Sequence, residues 1–246
     1  MAAMDTDLHP LPEDWTSALA VVAHPDDMEY GASCAVARWT AAGKKVTYLL
    51  VTRGEAGIDG IAPKEAKKLR TKEQIASCAA VGVKRLEFLD HPDGVIADVM
   101  RLRREIASVI RRHRPDIVLT LNHHETWGGR VLNLADHRIV GSAVLDAVRD
   151  AGNRWAFGDL RGTDRRSLPR WDEVQFTAVA NSPAPTHAVD ITESIAAGVE
   201  SLRCHAAYLA GLGAKAPDPD KFLRDTAGRH AARFGGRLAA TFEVYR

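Results

Sequence analysis

The sequence has little cysteine, no long apolar run and almost no net charge, and each shortage removes a class of function. Its three cysteines, Cys34, Cys78 and Cys204, lie far apart, form no C-x-x-C pair and cannot all join in internal disulfides. Cys34 and Cys78 stand beside alanines in helix-like stretches and read as small core residues, which fits a reducing cytoplasm. The opening MAAMDTDLHPLPEDW lacks a charged region followed by an apolar one, so no secretory leader is expected. No apolar stretch is long enough for a membrane span. Lys+Arg 33 against Asp+Glu 32 leaves a formal charge of +1, so neither a nucleic-acid-binding surface nor an acidic tail is expected. Internal repeats, low-complexity tracts and linker-like stretches are missing too.

What is present is an alternation of strand and helix patterns. Residues 18–23 (ALAVVA) form the short continuous apolar run of a parallel strand buried on both faces. A helix is expected over 31–42 with Gly43 after it, then a strand over 45–52. A helix over 63–81 opens on Pro63 and stops at Gly82, and KRLEFL at 84–89 suggests a third strand. Over 98–113, Val99, Leu102, Ile106, Val109 and Ile110 have helical spacing, and the arginines read as that helix's solvated face. DIVLTL (116–121), a helix over 136–150, strands at 173–180 and in HAVDIT (187–192), a helix over 193–210 and a strand near 238–245 complete the pattern. The expected fold is a single Rossmann-like α/β domain over 1–246, with a mainly parallel sheet flanked by helices. Residues 1–16 would be an extension, 152–172 a long loop, and 211–246 a flap and strand.

In open α/β sheets ligands bind at the carboxyl ends of the strands. Those ends here read AHPDD, TRGEAG, DHPDG and NHHETWGG, followed by LADHRIVG. A dinucleotide would need G-x-G-x-x-G after the first strand, but the chain has His24-Pro25-Asp26-Asp27 there. Two adjacent carboxylates at the end of a buried strand make better sense around a cation. Catalytic zinc takes three imidazole or carboxylate ligands and keeps one position open. His24 and Asp27 share one short loop, and His137 is the natural third ligand. Asp26 is then free to act as general base toward an attacking water. Asp136 reads as an orienting neighbour or helix-start residue rather than a ligand. Arg53 and Glu55 either contact substrate or fix their own loop.

AHPDD at 23–27, VTRGEAG at 51–57, LRTKEQIASCAAVGV at 69–83, FLDHPDG at 88–94, ADHRIVG at 135–141 and THAVDIT at 186–192 together resemble the PIG-L/LmbE-type metal-dependent N-deacetylases. The resemblance covers about 17–210. It implies hydrolysis of an N-acyl group, often on an acetylated amino sugar. It also implies zinc held by His24, Asp27 and His137, with Asp26 as base and Arg70 and Asp93 in contact with substrate. One departure stands out. The second signature of the family reads H-P-D-H, whereas this chain has Leu134-Ala135-Asp136-His137. The first histidine of that signature assists the tetrahedral oxyanion or the leaving amine, which Leu134 cannot do. His123, His124 and Asn133 are the local substitutes, with His124 the candidate for proton transfer and His123 for substrate contact.

The expectation is a cytoplasmic zinc-dependent hydrolase that removes an N-acyl group, first of all acetyl, from an amino sugar or sugar conjugate. Ferrous iron suits the same ligands. The partner is a small N-acylated sugar, with no nucleic acid and no membrane span; an oligomer is compatible with the sequence. The alternatives are an amidase acting on a thiol conjugate of a glucosamine–inositol type metabolite, and a non-catalytic protein that keeps the metal pocket.

Overall fold

The computed structural model describes residues 7–162 and 164–246; the first six residues of the expected N-terminal extension lie outside the described residues. The chain opens with a two-residue strand β1 (His9–Pro10), then β2 (Ser17–Val22). Next come α1 (Asp27–Gly31), α2 (Ser33–Ala41), β3 (Lys45–Leu50), α3 (Pro63–Ala80) and β4 (Arg85–Phe88). After them follow α4 (Val99–His113), β5 (Ile117–Leu121), α5 (Ala135–Gly152), β6 (Phe176–Ala180) and β7 (His187–Asp190). The remaining elements are α6 (Ile195–Arg203), α7 (Ala206–Gly211), α8 (Pro219–Gly228) and β8 (Ala239–Tyr245).

The strands form one sheet in the order β1-β7-β8-β6-β5-β2-β3-β4. β8 runs antiparallel to β6 and β7, and the other neighbours pair parallel. Alternation along β2 explains why both faces are covered. Ala18, Ala20 and Val22 pack into a layer with residues of α2, α6 and α8. Leu19 and Val21 point the other way, toward α4 and α5. The chain leaves β2 toward β3 and returns to β5 on its other side, so the loops after β2 and β5 open a crevice between them.

Several expectations need correction. The helix over 31–42 starts earlier, at Asp27, and breaks at Ala32, whose φ of −146° ends α1 before α2 begins. The helix over 193–210 is two helices, interrupted at Cys204 and His205. The expected flap contains α8, started by Pro219 and by the Asp218 carboxylate, which accepts from the Lys221 N–H at 2.8 Å. The strand expected from 173 begins at Phe176. The arginines of α4 are not all solvated: Arg111 is buried and donates to the carbonyls of Asp150, Ala151, Asn153, Ala156 and Phe157. It thereby closes the end of α5, where backbone acceptors lack helical partners. Gly43 and Gly82 do stop their helices, in left-handed conformation at φ +85° and +72°.

Candidate metal centre

The end of β2 delivers His24, Asp26 and Asp27 into the crevice, and the first turn of α5 delivers Asp136 and His137 from the other side. His24 Nδ1 lies 3.2 Å from His137 Nε2, His137 Nε2 lies 3.1 Å from Asp27 Oδ1, and His24 Nδ1 lies 3.6 Å from Asp27 Oδ2. Four-coordinate zinc with bonds of about 2.0–2.1 Å sets its ligand atoms roughly 3.3 Å apart. One donor atom from each of the three side chains lies within 4.8 Å of the other two, and His137 Nε2 stands near tetrahedral spacing from both His24 Nδ1 and Asp27 Oδ1; two imidazoles with a carboxylate suit zinc or ferrous iron.

The outer partners aim these donors. Asn133 gives its amide hydrogens to the carbonyls of Asn122 and His124 at 2.8 and 3.0 Å. Its oxygen must therefore accept, and at 3.0 Å it takes the Nδ1–H of His137, leaving Nε2 to face the cluster. His24 Nε2 sits 3.1 Å from Asp93 and 3.3 Å from Asp136, so its hydrogen points at carboxylates and its Nδ1 lone pair points inward. Asp136 also accepts from the N–H of Gly94 at 2.8 Å, and Asp93 from that of Ala56 at 2.7 Å. The field favours positive charge. Burial alone would lower the pKa of His24, yet Asp27, Asp136 and Asp93 drive it well above its usual value. Burial would raise Asp27, but His137 and His24 hold it far below the carboxylate range.

Asp26 occupies a different environment from its neighbour. Its backbone is left-handed, with φ 89°, a conformation a non-glycine residue keeps only when its surroundings impose it. Gln74 supplies one restraint: its Oε1 accepts the Asp26 N–H at 3.1 Å, while its amide nitrogen donates to Glu29 at 2.9 Å. Arg70 supplies the other, donating to Asp26 Oδ2 at 2.9 Å and to the Pro25 carbonyl at 2.5 Å. Burial lifts the Asp26 carboxyl to about 6 against the pull of Arg70, with Asp27 adding to the rise. The TRGEAG motif has a structural explanation here. A Cβ on Gly54 or Gly57 would come within 2.2 or 2.4 Å of Arg70 Nη1, so both glycines make room for the guanidinium.

The remaining candidates are distributed unevenly. Arg70 and Asp93 line a cavity of about 740 Å³ that also contains the His24, Asp27 and His137 cluster. Arg70 is buried and committed to backbone and to Asp26, with its guanidinium stacked 4.2 Å over the Tyr208 ring. Arg53 and Glu55 are off the cavity wall. Arg53 pairs with Asp90 at 2.6 Å, and Glu55 accepts from the backbone N–H of Arg53 and Asp93. His123 and His124 are off the wall as well. His124 Nε2 bonds the Glu243 carboxylate at 2.7 Å, so the geometry does not support the expected proton transfer from His124 or substrate contact by His123. Asn133 is fully used by the contacts already described. Leu134, where the family signature has a histidine, sits exposed at the start of α5 on the cavity wall. His205 is fully buried 3.8 Å from Glu29, and neither ring nitrogen has a hydrogen-bond partner.

Sequence reasoning missed Glu29, Tyr30, Gln74, Trp127 and Tyr208. The legible signal was on α3, where Arg70, Glu73, Gln74 and Ser77 form a polar helical face that is buried.

A doubly wound α/β sheet with a His-Asp-His cluster at its switch point defines a protein with a candidate metal centre. The chain belongs to the PIG-L family: residues 19–148 match the family described as GlcNAc-PI de-N-acetylase. It is 31% identical to a diacetylchitobiose deacetylase of Thermococcus kodakarensis, over 78% of this chain and 70% of that protein. It is 26% identical to a 1D-myo-inositol 2-acetamido-2-deoxy-alpha-D-glucopyranoside deacetylase of Acidothermus cellulolyticus, over 79% and 80%. The N,N'-diacetylchitobiose deacetylase structure from Pyrococcus horikoshii shares the fold, with a TM-score of 0.82 at 22% identity, covering 94% of this chain and 84% of that one.

Proposed function

We propose that this protein hydrolyses the N-acetyl group of a small amino sugar or amino-sugar glycoside, with a divalent cation held by His24, Asp27 and His137. The observation that carries the reading is the three-donor triangle, with the separately restrained carboxyl of Asp26 beside it. Relatives named for deacetylation of chitobiose and of a glucosamine–inositol compound support the substrate class. When bound, the cation supplies Lewis acidity toward the amide carbonyl and acidifies a water. Asp26 accepts a proton from the attacking water and returns it to the departing nitrogen. A carboxyl lifted to about 6 is suited to exchanging protons near neutrality. Arg70 and Gln74 hold that carboxyl in place. Asp93 and Asp136 keep His24 turned toward the cation, and Asn133 does the same for His137. Zinc and ferrous iron both suit the donors, and the free cysteines suit a reducing cytoplasm.

Metal content per chain, measured together with amine release from N-acetylglucosamine and diacetylchitobiose, tests this. The wild type is expected to carry close to one zinc or iron and to release amine, and His137→Ala to lose both. A wild type that takes up neither metal, or that binds one without releasing amine from either sugar, rejects the proposal.

A further inference from the structure

α1 carries a second buried carboxylate, Glu29, for which the proposed reaction has no chemical step. Its Oε1 accepts from Gln74 Nε2 at 2.9 Å and from the Ser77 hydroxyl, both on α3. Ser77 Oγ lies 2.6 Å from Ser201 Oγ on α6. The single Ser77 hydrogen goes to the carboxylate, so Ser201 is the donor in that contact. Glu29 Oε2 has no hydrogen-bond partner and stands 3.8 Å from Nε2 of the buried His205. The hold of this carboxylate is therefore concentrated on one oxygen, and that oxygen faces α3. Its effect reaches Asp26. A primary amide is nearly symmetric in shape but not in hydrogen bonding. Gln74 must offer its oxygen to the Asp26 N–H, 3.1 Å away, and its nitrogen to Glu29. Flipped, the amide would set donor against donor at Asp26 and acceptor against acceptor at Glu29. A carboxylate, which can only accept, excludes that orientation. Cys78 Sγ, 3.7 Å from the same nitrogen, is too weak an acceptor to enforce the choice.

We propose that Glu29 is a positioning residue for the reaction: it locks the Gln74 amide and, through it, the left-handed backbone of Asp26. The inference rests on the proposed amide hydrolysis for its effect on rate, and on the hydrogen-bond geometry alone for the lock. What the lock requires at position 29 is an acceptor, not a charge. Glutamine therefore serves there: its oxygen takes the place of Oε1, and its nitrogen takes that of Oε2, facing the unpartnered ring of His205. Methionine matches the length of the side chain but removes the acceptor, and both orientations of Gln74 become open.

The first measurement is hydrogen exchange at the Asp26 backbone amide, read by NMR on the metal-loaded protein, which does not depend on turnover. Glu29→Met is expected to speed exchange there at least about tenfold while the amides of β5 keep their protection, and Glu29→Gln to restore it to within about threefold of wild type. The second measurement is kcat and KM for amine release from diacetylchitobiose, with metal content on the same samples. Glu29→Met is expected to lower kcat about 10²-fold, the cost of misplacing a reacting group by about 1 Å, with KM and metal content near the wild-type values. Glu29→Gln is expected to recover at least about tenfold of that loss. Unchanged exchange at Asp26 in Glu29→Met overturns the inference, as does a Glu29→Gln rate as low as that of Glu29→Met. Should Glu29→Met not fold, Gln74→Met is compared with Gln74→Met/Glu29→Met, in which both partners are apolar and neither is left unsatisfied. A residue that acts through Gln74 should then lower kcat by less than about threefold more, and a further tenfold loss overturns the inference. Amine release at the wild-type rate by Glu29→Met does so too and leaves the deacetylase reading intact. No amine from wild type rejects that reading, and exchange at Asp26 still decides the lock.

Discussion

Arg70 Nη2 lies 2.9 Å from Asp26 Oδ2, and both side chains are buried. The same nitrogen also reaches the Pro25 carbonyl, so a single guanidinium fixes both the backbone and the carboxyl of a residue in a strained conformation. A displacement of about 1 Å at such a group costs on the order of 10²-fold in rate. Arg70→Lys keeps the charge but lacks the planar fork. It is expected to lower kcat by about that factor while metal content stays at the wild-type value, read by metal analysis and steady-state kinetics on one preparation. Gly57→Ala, which pushes on the same guanidinium, should fall in the same class.

Asn133 touches no substrate-facing atom in the proposed reaction, yet it sets which nitrogen of His137 faces the cluster. Removing such an outer partner typically weakens metal binding 10–100-fold. Asn133→Ala should therefore require correspondingly more free zinc for half-occupancy in a competition titration. Unchanged affinity would refute the aiming role.

Asp116 ties the start of β5 to the segment that opens β2. Its Oδ2 accepts from the backbone N–H groups of Thr16 and Ser17, each at 2.8 Å, and from both hydroxyls. Burial would raise its pKa, but these donors hold it below the usual value. A depressed carboxyl stabilises the fold above its unfolded pKa of about 3.9, and that share disappears as pH falls through the folded value. Asp116→Asn should lower Tm at neutral pH, and its gap from wild type should close as pH drops below about 4. A gap that stays constant down to pH 2 would contradict the assignment.

Arg111 satisfies five carbonyls, two in the last turn of α5 and three in the segment after it. A buried acceptor left without a donor costs about 1–3 kcal/mol. Arg111→Met is expected to destabilise by at least about 3 kcal/mol in urea unfolding and to expose 152–160 to limited proteolysis. A loss under about 1 kcal/mol would show that water replaces the guanidinium.

The alternation of apolar runs and helical periods made the parallel sheet legible, and AHPDD with a later DHR indicated the family. Patterning registers which residues are hidden but not whether a polar one is hidden among them, so Arg111 was misread as part of a solvated surface, and the buried contacts of Arg70 with Asp26 and Pro25 were not foreseen. α8 was missed because Gly, Pro and charge around it suggested a flap, although Asp218-Pro219 carries a helix-start signature. His123 and His124 were placed near the site by sequence adjacency to a strand end, but Glu243, over a hundred residues away, draws His124 aside. Contacts of that separation leave no local trace in a single sequence.

β8 comes after every other strand in the chain, yet it lies between β6 and β7. Until residues 239–245 insert, the β1–β7 pair has no bonded neighbour on its inner side, and β6 presents an open edge. The continuity of the sheet therefore depends on its last strand, and losing it would bare two edges of the kind that promote aggregation. Ala239 and Ala240 belong to that strand, so the segment that joins the two parts of the sheet also completes one wall of the cavity.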